Sequence, residues 1–270
     1  MPAMRTNSNA VQPCGRKRHG LMIGASLVAL GLGIFYTANW QALQQLPSLA
    51  HEIDVRHHAP WTPLDQVSPN FIRALIATED RSFYHNWGIS FQGMARAAWV
   101  DLHTGQFTQG GSTLTQQLVR DLLLSTAKTI ARKGSGILLS LMATLLYTKT
   151  QLLTMYVNEV YLGDHAYGIG QASVQYFGVP PRQLTLAEAS LLAGLPQAPS
   201  LYDPLMHYSL AKDRQRQVLA SMVQDGQISL QQANHIFHTP LHFAHAIHRS
   251  LHQNIAKPQE SSRPIRPFPS

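Results

Sequence analysis

The sequence predicts a mainly α domain that follows a single N-terminal membrane-spanning helix. Two observations carry this prediction: an uncharged apolar stretch over residues 20–40, and apolar residues at helical spacing through residues 68–240, where few stretches alternate with the period of a strand. Charged residues make up 13% of the chain, whereas about 25% is usual in soluble proteins. A domain this poor in charge, without being wholly apolar, fits a protein that lies against a membrane.

The predicted anchor, residues 20–40, has the length with which an apolar helix spans a bilayer, about 20 residues. Tyr36 and Trp40 stand at its far end, where an aromatic belt belongs, and the basic string RKRH precedes it. This charge distribution predicts that residues 1–19 are a cytoplasmic tail and that the rest lies on the outer, periplasmic face of the inner membrane, in a single-pass topology. The alternative is a cleaved signal peptide, for which the apolar stretch is long and lacks a following cleavage site.

After the anchor, the sequence divides into a connector (residues 41–67), a helical domain (residues 68–240) and a tail (residues 241–270). The tail is rich in His, Pro, Ser and Arg, a composition that predicts disorder. Metal binding by its spaced histidines is the alternative interpretation. The single cysteine precedes the anchor, so a disulfide framework is impossible.

Start and stop signals predict the helices of the domain. Ser68-Pro69 reads as a helix cap followed by proline at the first helical position, and this helix is predicted to reach about Glu79. Residues 136–157 are strongly apolar and could be a second membrane span, but Lys149 interrupts them, so a buried helix starting at Gly136 is predicted. The other predicted helices cover residues 113–124, 184–195, 211–224 and 229–238.

The formal net charge of +7 and the sequence pI of about 9.7 favour an anionic partner, such as an anionic lipid or a phosphorylated substrate. Nucleic acid is not the predicted partner, because the sequence has no zinc-finger spacing, basic zipper or RNP-like aromatic motif.

The first chemically suggestive string, EDRSFYHNWG, begins at Glu79. Two adjacent acids, an aromatic residue and a histidine are compatible with a polar helix end that has no chemical role. In the functional alternative, Glu79 lies at the mouth of a cleft, where packing by Phe83 and Trp87 would partly desolvate it for acid–base work. Asp80 would hold the local loop through hydrogen bonds.

Two further strings could bind a sugar or a phosphate. The string GSTLTQQ, from Gly111, is a good helix cap, and its hydroxyl and amide side chains could donate to a ligand at the helix N-terminus. A basic cluster follows between two apolar helices. One interpretation is a solvated surface, on which the alkyl chains of the side chains lie along apolar neighbours and the charged groups stay in water. The other is a pyrophosphate site that stabilises charge on a leaving group. The cluster consists of Arg120, Lys128, Arg132 and Lys133.

In this order and spacing, the strings resemble the glycosyltransferase family 51 domain of monofunctional peptidoglycan transglycosylases and of class A penicillin-binding proteins. The resemblance covers about residues 60–235. EDRSFYHNWG is similar to the first family motif, with His85 and Gly88 slightly displaced in spacing. GGSTLTQQ is similar to the second motif, Arg132-Lys133 to part of the third and KTQLLTMYVN to the fourth. The later strings VYLGDHAYGIGQAS and LTLAEASLLAGLPQAPSLYDP are also similar to the sequence of the family.

The resemblance implies a lysozyme-like helical fold and a cleft at the membrane surface, in which lipid II is polymerised into peptidoglycan glycan strands for cell-wall biogenesis and cell shape. Glu79 would be the catalytic general base that removes a proton from the acceptor sugar hydroxyl. The growing chain, linked to undecaprenyl pyrophosphate, would be the donor. No cofactor is required, a divalent cation such as Mg²⁺ could assist, and other cell-wall synthesis proteins are further candidate partners.

The resemblance implies no metal-binding residue. The implied substrate-binding residues are Asp80, Phe83, His85, Ser112, Thr113, Thr115, Gln116, Gln117, Arg120, Lys128, Arg132, Lys133 and Asn158.

The chain departs from the family pattern at three places. The third motif, RK-x-x-E, ends in Gly136, and the fourth has Thr154 where a glutamate is usual. The fifth, RR-x-x-V-L, begins Arg214-Gln215, so that one arginine is replaced, and no Asp or Glu occurs over residues 122–158.

Two hypotheses follow from these departures. The first is an active polymerase that relies on Glu79, with an activity reduced because the third-motif glutamate is Gly136. The second is a non-catalytic relative that binds lipid II or acts as a scaffold of the cell-wall machinery. A hydrolase, the third class, would need a well-placed pair of carboxylates, which the central segment does not supply.

Overall fold

The structure, a computed structural model, describes residues 15–95, 111–125 and 129–244. These residues are mainly α-helical, and the pairing of extended backbone among them is an isolated bridge between Tyr161 and Tyr167. The mainly α prediction is therefore confirmed. The chain divides into two compact units, residues 1–44 and residues 45–270.

The first unit contains one long helix, α1 (Gly15–Gln44). Its segment Met22–Gln44 is long and apolar enough to cross a membrane, and it is the one candidate span among the described residues. Large side chains such as Leu27 and Val28 are exposed along it, as expected of a helix whose surroundings are lipid. The helix is longer at both ends than the predicted anchor, residues 20–40.

The second unit begins inside the predicted connector. Helix α2 (Leu46–His57) and a 3₁₀ turn (Leu64–Gln66) occupy much of it. Between them, the backbone N–H of Thr62 donates to Asn158 Oδ1 at 2.7 Å, and Asn158 Nδ2 donates back to the carbonyl of Thr62 at 2.9 Å. The connector is thus part of the folded domain, because these buried polar groups pair with a distant helix.

The remaining helices of the second unit agree with most of the predicted start signals. Ser68 accepts from the backbone N–H of Asn70, and Thr113 and Ser229 each form a reciprocal cap with the glutamine three residues later. A helical segment also covers residues 91–95, and 3₁₀ turns cover Pro181–Gln183 and Leu195–Gln197. The α-helices are α3 (Pro69–Glu79), α4 (Leu114–Leu123), α5 (Ile130–Leu146), α6 (Lys149–Glu159), α7 (Gly168–Phe177), α8 (Leu186–Leu192), α9 (Tyr208–Gln224) and α10 (Leu230–His238).

The prediction of one helix over residues 136–157 is wrong. Two helices, α5 and α6, meet at Tyr147 and Thr148. Thr148 accepts from the backbone N–H of Gln151, whose side chain accepts in return from the backbone of Thr148. This capping box starts a new helix within the apolar run. Gly136 consequently lies inside α5 rather than at the start of a helix.

The boundaries near the C-terminus also differ from the predictions. Helix α8 ends at Leu192 rather than residue 195, and Pro196 lies within a 3₁₀ turn. Residue 241 is not the start of a disordered tail as predicted, because Phe243 stacks on Phe177 with ring centroids 5.3 Å apart. The rest of the tail lies outside the described residues, as does most of the predicted cytoplasmic tail.

Helix packing in the second unit places the C-terminal end of α3 between two groups of helices. Helix α3 packs against α8 and α9, while α4 packs against α5 and α6. Fully buried aromatic side chains fill the interior, among them Phe71, Phe83, Tyr156 and Tyr176. Glu79, the last residue of α3, can therefore contact residues from both groups.

Candidate active site

The carboxyl group of Glu79 is held by one side chain from each group of helices. Gln117 of α4 donates from Nε2 to Glu79 Oε2 at 2.9 Å. Arg214 of α9 donates from Nη2 to Glu79 Oε1 at 3.1 Å, and both side chains of this ion pair are only 10% exposed. Both carboxylate oxygens thus have a fixed partner, which sets the orientation of the group.

Gln117 is itself oriented by a buried tyrosine. Tyr156 of α6 donates its hydroxyl to Gln117 Oε1 at 3.0 Å. Because the amide oxygen is used in this way, the amide nitrogen points to Glu79. Burial raises the pKa of the Tyr156 hydroxyl well above its ordinary value, and the negative charge of Glu79 adds to the shift. Tyr156 therefore remains a protonated donor.

Arg214 contacts the candidate base, although it was not among the predicted site residues. Its Nε donates to the carbonyl of Gly194 at 3.1 Å and its Nη1 to Gln217 at 2.9 Å, while Nη2 reaches Glu79. A Cβ atom at position 194 would lie 2.8 Å from Arg214 Cγ, so glycine leaves room for the arginine to pass. The surviving arginine of the fifth motif was the available signal, but sequence spacing did not connect it to Glu79.

Asp80 organises the loop that follows α3, as predicted. Its carboxylate accepts from Ser82, from Asn86 and from the backbone N–H of Leu114, at 2.9–3.1 Å. Burial raises the pKa of this carboxyl, and the bonds from Asn86 and Leu114 oppose the shift. The bond to Leu114 joins the end of α3 to the start of α4. The side chain is buried, and its described contacts lie within the protein.

Gly88 closes this loop against α5. Thr113, the cap of α4, donates its hydroxyl to the carbonyl of Gly88 at 2.6 Å, and Asn86 accepts from the Gly88 N–H at 2.9 Å. Gly88 has φ of +85°, and a Cβ atom there would lie 2.3 Å from the carbonyl oxygen of Ser140. Both the backbone angle and the close approach require glycine.

We expect Gly88→Ala to destabilise the protein by about 2–4 kcal/mol, because strain at positive φ and overpacking against Ser140 act together. Gly134→Ala is the matched control. Gly134 lies in α5 with no described atom within 4 Å of its added Cβ, so alanine should stabilise the helix by about 0.5–1 kcal/mol. Denaturant unfolding of both variants measures the difference, and similar midpoints would contradict the prediction.

The expected aromatic packing around Glu79 is wrong in one respect. Trp87 is 69% exposed, and the described polar partners of Glu79 are Gln117 and Arg214. Phe83 is fully buried, with the Lys149 ammonium 4.8 Å from its ring centroid. Lys149 also donates to Asn86 Oδ1 at 2.9 Å. The exposed Trp87 thus does not bury the carboxylate, which is held by Gln117 and Arg214.

The other candidates near the start of α4 have different environments. Thr113 and Gln116 form the capping box of the helix, so their side chains satisfy backbone groups. Thr115 is buried, and its hydroxyl has no hydrogen-bond partner among the described residues. Ser112 and His85 are exposed.

The basic cluster is brought together only in part. Arg120 of α4 binds the neighbouring Asp121, while Arg132 of α5 donates from Nη1 to the carbonyl of Ser125 at 2.9 Å. Arg120 lies in the last turn of α4 and Arg132 at the start of α5, two helices that pack against each other. Lys133 is exposed, and Lys128 lies outside the described residues.

Gly136 and Thr154, the two positions where the family motifs have a glutamate, have different surroundings. Gly136 is buried, and a Cβ atom there would meet Leu124 Cδ1 at 3.4 Å, with no other described atom within 4 Å outside its own helix. Thr154 donates to the carbonyl of Thr150 in α6. Its own carbonyl accepts from Asn158, which is buried and bound to Thr62, so Asn158 fixes the connector.

Chemically, this arrangement offers a carboxylate next to two fixed donors. A carboxylate is a group that can accept a proton, and Glu79 lies beside the Arg214 guanidinium. Among the described residues, no group of three or more His, Cys, Asp or Glu side chains could hold a metal ion. A carboxylate held by two donors fits proton transfer by a side chain.

Comparison with known proteins agrees with the motifs. The sequence model of the family described as "Transglycosylase" matches residues 47–223. Penicillin-binding protein 1A of Escherichia coli (strain K12) is 37% identical over 235 residues, 80% of this chain and 28% of that protein. The protein of the same name from Neisseria lactamica is 36% identical over 248 residues, 83% of this chain and 30% of the relative. Penicillin-binding protein 1A of Aquifex aeolicus (strain VF5) is 39% identical over 181 residues, which are 67% of this chain and 25% of that protein.

A crystal structure of penicillin-binding protein 1A from Haemophilus influenzae is also similar, with a TM-score of 0.41 and 20% identity over 73% of this chain and 20% of that one. This chain spans less than a third of the length of each of these relatives. The family match confirms the resemblance that the motifs indicated.

Proposed function

The chain belongs to the transglycosylase family, and on that premise we propose that it is a peptidoglycan glycosyltransferase that polymerises lipid II into glycan strands. The observation that carries the proposal is the paired carboxylate of Glu79, held by Gln117 and Arg214 at the C-terminal end of α3. A base needs a fixed position within hydrogen-bond reach of the proton that it removes. The two partners from separate helices supply that fixed position.

In the proposed reaction, Glu79 takes the proton of the acceptor hydroxyl of lipid II. The hydroxyl oxygen then forms a bond to the anomeric carbon of the growing chain, while the bond from that carbon to the pyrophosphate breaks. Undecaprenyl pyrophosphate leaves with the electron pair, and its negative charge needs cationic partners. Arg120 and Arg132, in the last turn of α4 and at the start of α5, are the described candidates, with Lys133 beside them.

The substrate of this reaction carries a lipid, so the domain must work at a membrane. We propose that α1 anchors the chain in the inner membrane and that residues 45–240 lie on the periplasmic face. The apolar segment Met22–Gln44 and the preceding basic residues support this orientation. Other proteins of cell-wall synthesis are proposed partners, and a divalent cation such as Mg²⁺ could join the leaving pyrophosphate.

The second candidate function is a binding or scaffold protein, and Gly136 is the observation that favours it. The position carries no side chain, where the family motif has a glutamate. Loss of a carboxylate beside basic residues leaves them more positive, which suits binding of a pyrophosphate but removes an orienting group. In this alternative, lipid II is bound and not polymerised.

The decisive experiment incubates the purified full chain in detergent with lipid II and measures polymeric glycan. Native protein and the variant Gly136→Glu are compared, because Gly136 stands where the family motif has a glutamate. Polymer from the native protein is the expected result. A native protein that binds a lipid II analogue but makes no polymer would establish the scaffold alternative, and polymer from Gly136→Glu alone would assign the defect to that position.

A further inference from the structure

Lys149 is the first residue of α6, a position where a positive charge is unfavourable. The N-terminal end of a helix carries a partial positive charge, which attracts anions and repels cations. Thr148 and Gln151 form the capping box of α6, so Lys149 is not needed to start the helix. Its Nζ instead donates to Asn86 Oδ1 at 2.9 Å and lies 4.8 Å from the ring centroid of Phe83, both in the loop after α3. Contacts with that loop therefore account for a lysine at this position.

Asn86 connects Lys149 to Asp80. Its amide oxygen accepts from the Lys149 ammonium and from the backbone N–H of Gly88, each at 2.9 Å. Its amide nitrogen donates to both carboxylate oxygens of Asp80, at 2.9 and 3.1 Å. Because an amide oxygen only accepts and an amide nitrogen only donates, the donors on the oxygen direct the nitrogen toward the carboxylate. Lys149 thus helps to fix the orientation of the amide.

Asp80 connects the loop to both parts of the candidate active site. It follows Glu79 directly in the chain, and its Oδ2 accepts from the backbone N–H of Leu114, the first residue of α4, at 3.1 Å. Gln117, in the first turn of α4, donates to Glu79 Oε2 at 2.9 Å. The contact between the candidate base and Gln117 therefore depends on how Asp80 holds the start of α4.

Charge as well as geometry connects Lys149 with Asp80. Burial raises the pKa of the Asp80 carboxyl, and the hydrogen bonds from Asn86 and Leu114 and the charge of Lys149 oppose that shift. Burial lowers the pKa of the Lys149 ammonium, and the charge of Asp80 opposes that shift in turn. Each group thus favours the charged form of the other. A neutral side chain at position 149 would take this cation away from a buried carboxylate.

We propose that Lys149 is a positioning residue of the transfer reaction. Through Asn86 and Asp80 it fixes the start of α4, the helix that supplies one partner of Glu79. Glu79 itself is held by side chains of α4 and α9, so Lys149 acts on the base through this chain of contacts. The inference rests on the proposed function, in which Glu79 is the base.

The test measures lipid II polymerisation by the full chain with Lys149→Met and with Lys149→Arg. Methionine keeps an unbranched apolar chain and removes the charge and the N–H donors, whereas arginine keeps both. We expect Lys149→Met to lower kcat about 10- to 100-fold with little change in KM, the size of effect that misplacement of a catalytic group produces. Lys149→Arg should retain most of the native kcat.

Lys212→Met is the matched control. The Lys212 ammonium lies 4.3 Å from the ring centroid of Phe237 and donates to the carbonyl of that residue at 2.6 Å. Burial lowers the pKa of this lysine too. Both lysines thus contact an aromatic ring and an oxygen acceptor, but Lys212 connects α9 with α10. Lys212→Met should lower the urea midpoint, as Lys149→Met does, and leave kcat unchanged.

Asn86→Ala tests the connection between Lys149 and Asp80. It should lower kcat, and the double variant with Lys149→Met should be no slower than the slower single variant, because both changes break the same chain of contacts. Four results would each overturn the inference and leave the proposed function intact: a native kcat in Lys149→Met, a rise in KM alone, an equal fall of kcat in Lys212→Met, or a further loss in the double variant. A native protein that makes no polymer would overturn the proposed function and, with it, this inference.

Discussion

Replacement of Glu79 by glutamine is expected to lower the rate of lipid II polymerisation by about 10²–10⁴-fold, the usual contribution of a general base. Glutamine has almost the same size and can still accept one hydrogen bond, but its amide cannot take a proton from the acceptor hydroxyl. Binding of a lipid II analogue should persist, because the basic residues of α4 and α5 are untouched. The measurement is the initial rate of glycan formation, with analogue binding followed in parallel.

In the same experiment, Glu79→Asp distinguishes the effect of moving the carboxylate from the effect of removing it. Aspartate keeps the carboxylate but is shorter by one methylene, so it cannot satisfy Gln117 and Arg214 as Glu79 does at 2.9 and 3.1 Å. An intermediate rate is expected, because geometry as well as basicity determines proton transfer. If Glu79→Gln retained the native rate, Glu79 would not be the base, and proton removal would have to be assigned to another group.

Loss of Arg214 is expected to cause the largest fall in stability, about 3–5 kcal/mol for Arg214→Met. Both side chains of the Arg214–Glu79 pair are only 10% exposed, so removal of the arginine leaves a buried carboxylate without its counter-charge. The carbonyl of Gly194 loses its donor as well. Urea unfolding measures the change, and polymerisation should fall too because Glu79 loses its orientation.

The neighbouring Arg216 provides the control. It pairs with Asp213 at the surface, with both side chains more than half exposed, so Arg216→Met should cost no more than about 1 kcal/mol. A double variant, Glu79→Gln with Arg214→Met, should be less destabilised than the sum of the single changes, since it leaves no unpaired charge. Additive effects would show that the two side chains are not coupled.

Local sequence signals were sufficient to predict much of the fold. Helix starts at Ser68, Thr113 and Ser229 were predictable because a cap uses a side chain and a backbone N–H only two or three residues apart. Apolar periodicity likewise predicted the mainly α class. The break at Thr148 was missed although its capping box is local, because the apolar run around it suggested one continuous helix.

The sequence by itself determined the helical class, the apolar N-terminal helix, the family motifs and the identity of Glu79 as the candidate base. Only the tertiary structure decided how that base is held. Gln117 is 38 residues and Arg214 is 135 residues from Glu79 along the chain. Contacts over such separations depend on how α3, α4 and α9 pack, and on a glycine at position 194 that leaves space for one side chain. Local propensities act within a few residues, so they cannot specify which distant side chains meet.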